Sequence, residues 1–152
     1  MTDEQTCNSN LNLTVKTYNC RGLNSSKKSY VVNLLSDCNF LFIQEHWLSS
    51  SQLSELNFLS PNHYGVVVSC FGNDDVLRGR PYDGCAILWR RDIRAEVQFF
   101  TTDSRRVSAL CVDFTAVKLL FINVYLTHED SEANFDEFSF QLSIVNNVIE
   151  MH

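Results

Sequence analysis

FLFIQEHWL, residues 40–48, is the stretch from which the rest of the chain is read. The run Phe40–Gln44, apolar up to its last residue, predicts a strand packed on both faces, because both of its alternating sides carry large apolar residues. Such a strand delivers Glu45, His46 and Trp47 to the edge of a sheet. A carboxylate held there is positioned by packed backbone and can bind a cation at low entropic cost. Alone, a Glu after a strand is more often a solvated cap than a ligand, so its neighbours decide.

Upstream, Leu11, Leu13, Val15 and Thr17 alternate with Asn12, Thr14, Lys16 and Tyr18, the period of a strand. It ends at Asn19-Cys20-Arg21-Gly22, where Gly22 allows a sharp exit. Ser25 or Ser26 is the expected cap of a helix carrying Val31, Leu34, Leu35 and Cys38 at helical spacing. Strand, helix, strand is a βαβ signal. Its two strands should be parallel neighbours with their carboxyl ends on one edge, so Asn19 and Glu45 should face one cleft.

Downstream, Ser49–Leu59 predicts a short helix built on Leu53, Leu56 and Leu59 and stopped by Pro61. Tyr64–Cys70 reads as a strand and Phe71–Gly84 as a loop rich in Gly, Asp and Arg. Cys85–Trp89, Ala95–Phe100, Val107–Phe114 and Leu119–Leu126 predict four strands in an antiparallel meander. The last is apolar on both faces and should be covered on both. Asn123 is then expected to be an internal hydrogen-bonding residue, and Tyr125 to bring a hydroxyl to the functional edge. Phe135, Phe138, Leu142, Val145 and Ile149 predict a closing helix. Its lack of a Gly or Asn cap before His152 reads as a cut domain. The fold class is α/β, an α+β layered sandwich, with residues 1–10 as a flexible N-terminal segment.

The chain has 152 residues, 45% of them hydrophobic and 20% charged, which suits one domain and argues against disorder. A net charge of -6 offers nucleic acid no bulk attraction. Arg78, Arg80, Arg90, Arg91, Arg94, Arg105 and Arg106 nevertheless share the middle segment, which permits a local basic patch. The six cysteines form no C-x-x-C pair, so neither a zinc site nor a redox motif is signalled. Without the apolar region of a signal peptide or a run that spans a bilayer, the expectation is an intracellular, reduced protein, nuclear or cytoplasmic, not secreted and without a membrane partner.

Glu45, Asn19 and Tyr125 on converging strand ends suit divalent-metal and oxyanion chemistry. Carboxylate oxygen is a hard ligand for Mg²⁺ or Mn²⁺, the amide can orient a ligand, and the phenol can donate to a phosphoryl oxygen. For activating water, Glu45, His46, His63, His128 and the acidic tail are on offer, none at a decisive spacing.

TYNCRGL at 17–23, LFIQEHWL at 41–48, GRPYDGCAILWRRD at 79–92 and NVYLTHED at 123–130 together resemble the endonuclease/exonuclease/phosphatase superfamily. More narrowly, they are similar to the apurinic-like endonuclease domain of non-LTR (LINE-type) retrotransposons. The resemblance implies a DNase-I-like four-layer fold and a phosphodiester hydrolase that nicks DNA with Mg²⁺ or Mn²⁺. By matching motif, Asn19 would organise the metal and the scissile phosphate, Glu45 would bind the metal, and Tyr125 would lie near the phosphate. His46 and Trp47 would shape the DNA cleft or contact it. Apart from the resemblance, Arg80 and Arg105 of the arginine-rich segment are the candidate DNA contacts. Asp83 and Thr127 depart from the family's usual Gly and Pro, and are expected to bear more on loop geometry than on catalysis.

The family's later GDFN-like and SDH-like motifs, which supply an Asp, an Asn and a His, do not occur here. The resemblance therefore implies that residues 11–152 form the N-terminal portion of a domain, inactive alone. The incomplete sandwich would be covered by a remaining C-terminal segment or another protein. Two alternatives stand beside this reading: a noncatalytic nucleic-acid or protein interaction remnant, and a small-molecule phosphatase of the same superfamily.

Overall fold

In the structure, a computed structural model that describes residues 11–68, 83–127 and 132–152, Phe40–Gln44 is a strand buried at every position. The elements in order are β1 (Val15–Asn19), α1 (Ser25–Leu35), β2 (Phe40–Gln44), a 3₁₀ turn (Ser50–Gln52), α2 (Ser54–Asn57), β3 (His63–Val67), β4 (Cys85–Arg90), β5 (Glu96–Phe100), β6 (Val107–Asp113), β7 (Lys118–Val124) and α3 (Glu132–Glu150). The first sheet has the order β1-β2-β4-β3 and the second β5-β6-β7. As the βαβ pattern predicts, β1 and β2 are parallel, with Asn19 opposite Gln44.

The alternation of β2 divides the core in two. Leu41 and Ile43 pack with Val31 and Leu35 of α1 and with Leu56 of α2. Phe40 and Phe42 face the second sheet, where they meet Leu110, Val112 and Phe121. The Phe121 ring lies 4.7 Å from that of Phe40 and 5.7 Å from that of Phe42, centroid to centroid. Val107, Ala109 and Cys111 are buried on the opposite face of β6, under α3. The described residues thus stack as helices, mixed sheet, antiparallel sheet, helix.

Several boundaries differ from the sequence expectation. The β1 ladder begins at Val15, because the Asn39 side chain accepts from the Thr14 amide and the Thr14 carbonyl takes the Asn39 and Phe40 amides. Asn24 caps α1, accepting from the Lys27 amide at 3.0 Å, one residue before the expected serines. The expected helix at 49–59 is a 3₁₀ turn followed by a four-residue helix. The four-stranded meander is a correction too. β4 lies between β2 and β3 in the first sheet, since its run CAILW needs cover on both faces, and only β5 to β7 form a meander. Ser69 to Tyr82 and His128 to Ser131 lie outside the described residues, and with them most of the expected loop, Arg78, Arg80 and His128. Among the described residues, Cys20, Cys38, Cys85 and Cys111 are free and buried, and no helix is long and apolar enough to cross a membrane.

The expected apolar face of α3 is displaced by about one position. Gln141 is fully buried: its Oε1 accepts from the Thr127 amide at 2.9 Å, and its Nε2 donates to Thr127 Oγ1 and Glu137 Oε1, each at 2.8 Å. That pin turns Ile144 and Val148 inward and leaves Phe135, Leu142 and Ile149 exposed.

A second polar pin joins the sheets. Asn123 is buried, as expected, and its Nδ2 donates to the carbonyls of Ile43 in β2 and Ala86 in β4, both at 3.0 Å. Its Oδ1 accepts from Gln44 Nε2 at 2.6 Å, and Gln44 Nε2 also donates to Thr17 Oγ1 in β1 at 3.0 Å. Losing this amide would leave buried groups without partners, so Asn123→Leu should destabilise the chain by about 2–4 kcal/mol in urea unfolding. Asn123→Asp should cost more, because a carboxylate oxygen would face two carbonyl oxygens. An Asp variant as stable as the parent would contradict the pin.

Candidate functional site

The parallel register leaves Asn19 at the end of β1 beside Glu45, the first residue after β2. Asn19 Nδ2 donates to Glu45 Oε1 at 2.7 Å, while Asn19 Oδ1 accepts from the Arg21 amide at 3.2 Å. Tyr125 follows β7, and its amide donates to the Arg106 carbonyl at 2.9 Å. Its hydroxyl lies near enough to the Glu45 carboxylate to feel its charge. Burial raises the Tyr125 pKa, the Glu45 carboxylate raises it further, and Arg106 opposes them, so the phenol stays protonated at neutral pH. The structure therefore brings Asn19, Glu45 and Tyr125 together. Asn19 is exposed and the other two are half-buried, which leaves the group open to a ligand.

The backbone that presents Glu45 lies in the left-handed region, with φ of 53° at Glu45 and 60° at Trp47. Each such residue costs about 1–2 kcal/mol, so the segment must be held from outside. From one side the amides of Gly22 and Leu23 donate to the carbonyls of Glu45 and His46, at 2.7 and 3.0 Å. From the other, the amides of His46 and Trp47 donate to the carbonyls of Gly84 and Asp83, at 3.3 and 3.2 Å. Both flanks need glycine. A Cβ on Gly22 would lie 2.4 Å from the Trp47 ring and one on Gly84 2.4 Å from the His46 ring, and both glycines have positive φ.

The structure corrects the expected DNA contact for His46. Its ring has no exposed surface: Nδ1 accepts from the Leu48 amide and Nε2 lies on the Val68 carbonyl, both at 2.9 Å, which fixes the Nε2–H tautomer. Trp47 is half-buried with its ring over Gly22. Arg105 is exposed and lines a cleft of about 560 Å³ with Asp83, Arg106, Thr127 and Glu137. Arg80 lies outside the described residues.

Asp83 and Thr127 also make side-chain bonds of their own. Asp83 keeps a left-handed φ of 73°, where glycine would be relaxed. Its buried carboxylate pairs with Arg106 at 2.8 Å, and the Arg106 guanidinium sits 5.2 Å from the centre of the Tyr125 ring. Burial raises the Asp83 carboxyl pKa against the pull of Arg106. Thr127 supplies the amide and hydroxyl that hold Gln141, neither of which a proline has. Sequence reading missed Arg106 and Gln141 because their partners come from distant segments. Gln44 carried a visible signal, a polar residue closing an otherwise apolar strand.

A divalent ion fits this donor set in a limited way. Glu45 is a hard oxygen donor that stays half-exposed, and Mg²⁺ commonly takes one or two carboxylates and completes its shell with water and substrate phosphate. Among the described residues no three or more His, Cys, Asp or Glu side chains group into a closed metal site. Asn19, with its nitrogen on the carboxylate, orients Glu45.

The fold compares with solved nucleases and phosphatases. A 3′ phosphatase, NExo, from Neisseria bound to product DNA hairpin aligns with a TM-score of 0.60 and 24% identity, over 91% of this chain and 51% of that one. A 3′-5′ exonuclease (NExo) from Neisseria meningitidis gives 0.59 and 25%, over 90% of this chain and 51% of that one. The AP endonuclease LMAP from Leishmania major gives 0.56 and 15%, over 88% and 45%. The chain spans about half the length of these proteins. No curated protein matches it by sequence. The signature of the endonuclease/exonuclease/phosphatase family matches residues 17–147, most of the described fold and all three clustered side chains, and the chain belongs to that family.

Proposed function

We propose that the side-chain group around Glu45 is the metal-binding half of a phosphodiester hydrolase site that acts on DNA. The observation that carries this reading is the convergence of Asn19 and Tyr125 on one Glu45 carboxylate, 2.7 Å from the Asn19 amide. Glu45 would hold Mg²⁺ or Mn²⁺, which when bound polarises a phosphoryl oxygen. Asn19 orients the carboxylate. Tyr125 keeps its proton beside Glu45 in the free site and would donate it as a hydrogen bond to a phosphate oxygen when DNA is present. Family membership and the likeness to an enzyme bound to a DNA hairpin support DNA as the substrate class. The QEHWL and GRPYDG segments support nicking of the retroelement type and a retroelement origin.

The reading includes slow or absent turnover by this chain alone. A hydrolase needs a group that takes a proton from water. His46, the histidine nearest in sequence to Glu45, is sealed in the interior, and burial pushes its pKa down to about 4 against its bonds to the backbone. His63 lies at the start of β3, in another cleft with Ser60, Arg90 and Arg91. A second reading, an interaction remnant, draws on the exposed apolar stripe Phe135, Leu142 and Ile149 of α3.

Fluorescence anisotropy of a labelled DNA duplex tests the site. Mn²⁺ should tighten binding, and Glu45→Ala should remove that increment; binding indifferent to both would contradict the reading. On supercoiled plasmid with Mg²⁺ or Mn²⁺ the chain should give no nicking above background, and nicking abolished by Glu45→Ala would overturn the inactive state. His46 should stay neutral on NMR titration down to about pH 4, whereas a midpoint near 6.5 would return it as a candidate base. Because its folded pKa lies below the unfolded value, its contribution to stability is full above about pH 6.5. That contribution, about 3 kcal/mol, is lost as pH falls toward 4.

A further inference from the structure

Lys27, in the first turn of α1, spends all three ammonium protons on backbone. Its Nζ donates to the carbonyls of Cys20 at 2.6 Å, Arg21 at 3.0 Å and Gly22 at 3.1 Å. Its neighbours in charge behave otherwise: Lys28 pairs with Glu55 and Lys16 with Asp37. Three consecutive carbonyls converge here because Arg21 and Gly22 are both left-handed, with φ of 43° and 85°. In a strand such dipoles alternate; brought together they repel, and a cation relieves the repulsion.

The turn that Lys27 closes is the turn that holds the site. Its outer rim offers carbonyls to Lys27, and its inner rim offers donors to the segment after β2. The Cys20, Gly22 and Leu23 amides donate to the carbonyls of Gln44, Glu45 and His46 at 3.0, 2.7 and 3.0 Å. The Cys20 thiol adds a contact to the Glu45 carbonyl at 3.3 Å. The same turn fixes Asn19, whose Oδ1 accepts from the Arg21 amide while its Nδ2 faces Glu45.

We propose that Lys27 is a positioning residue for the Glu45 site: by neutralising the three converging carbonyls of residues 20–22 it holds the turn that orients Asn19 and the strained Glu45 backbone. The ammonium acts as an internal cation on the far side of the turn from the ligand. Its consequence for metal binding rests on the function proposed above; its restraint of the turn does not, and the two are measured separately.

The restraint is read by amide hydrogen exchange on the full chain. Lys27→Met keeps the helix and the aliphatic stem but removes the charge, and the Gly22 and Leu23 amides should exchange at least about ten-fold faster, with Ile43 and Leu110 unchanged. Unchanged Gly22 and Leu23, or equal acceleration at Ile43 and Leu110, would overturn the proposal, since the second result marks a merely structural lysine. In Lys27→Ala, millimolar propylammonium should restore the protection, because a free ammonium can enter the vacated carbonyl cluster; failure of rescue together with unchanged exchange would overturn it. Mn²⁺ affinity should fall about ten-fold in Lys27→Met. A parent chain that binds no Mn²⁺ would sink the functional reading, and the exchange result would still decide the role of Lys27.

Discussion

The amide of Asn123 is the constraint on which the arrangement depends. A two-sheet sandwich held only by apolar contact between Phe40, Phe42, Leu110, Val112 and Phe121 has no fixed sliding register, because dispersion is not directional. Asn123 supplies direction. It reaches from β7 into the first sheet and binds carbonyls of β2 and β4 at once, and Gln44 extends the bond to Thr17 of β1. Two residues along the chain from this pin lies Tyr125, and one residue beyond Gln44 lies Glu45. The contact that registers the sheets therefore also sets the separation of the phenol and the carboxylate.

Around that pin the site is built by backbone under strain. Glu45 and Trp47 occupy left-handed conformations that side chains disfavour, and four interstrand backbone bonds hold them there. Gly22 and Gly84 are small because aromatic rings of the strained segment lie against them. His46 is spent on this scaffold: its ring accepts from its own turn and donates across to Val68. The most chemically suggestive residue of the motif is thus a packing element, and its neighbour Glu45 is the one that stays accessible to solvent. The surrounding charges follow the same economy, with Asp83 buried against Arg106 and Arg106 lying over Tyr125.

Much of this was legible in the sequence where the signal was local. The apolar run Phe40–Ile43 closed by Gln44 located β2 to the residue, and the βαβ pattern placed Asn19 and Glu45 together because parallel strands share an edge. The role of Asn123 followed from a polar residue in an apolar strand. What could not be read depended on choices between equivalent local patterns. β4 has the same composition in a meander as in a central position, and only its pairing with both β2 and β3 separates them. α3 carries two apolar stripes, and a single bond set between Gln141 and Thr127 selects the less obvious one. Asp83 looked like a loop substitution because Arg106, its partner, comes from another sheet.

The central claim is that one carboxylate, Glu45, gathers Asn19 and Tyr125 into a cation site. Paramagnetic broadening of the NMR spectrum by substoichiometric Mn²⁺ tests it most directly. The account predicts that the Asn19 side-chain amide and the backbone amides of Glu45 and Tyr125 broaden first, and that Glu45→Ala abolishes the effect. Broadening that begins at the acidic residues of α3, or that survives Glu45→Ala at Asn19, would contradict it.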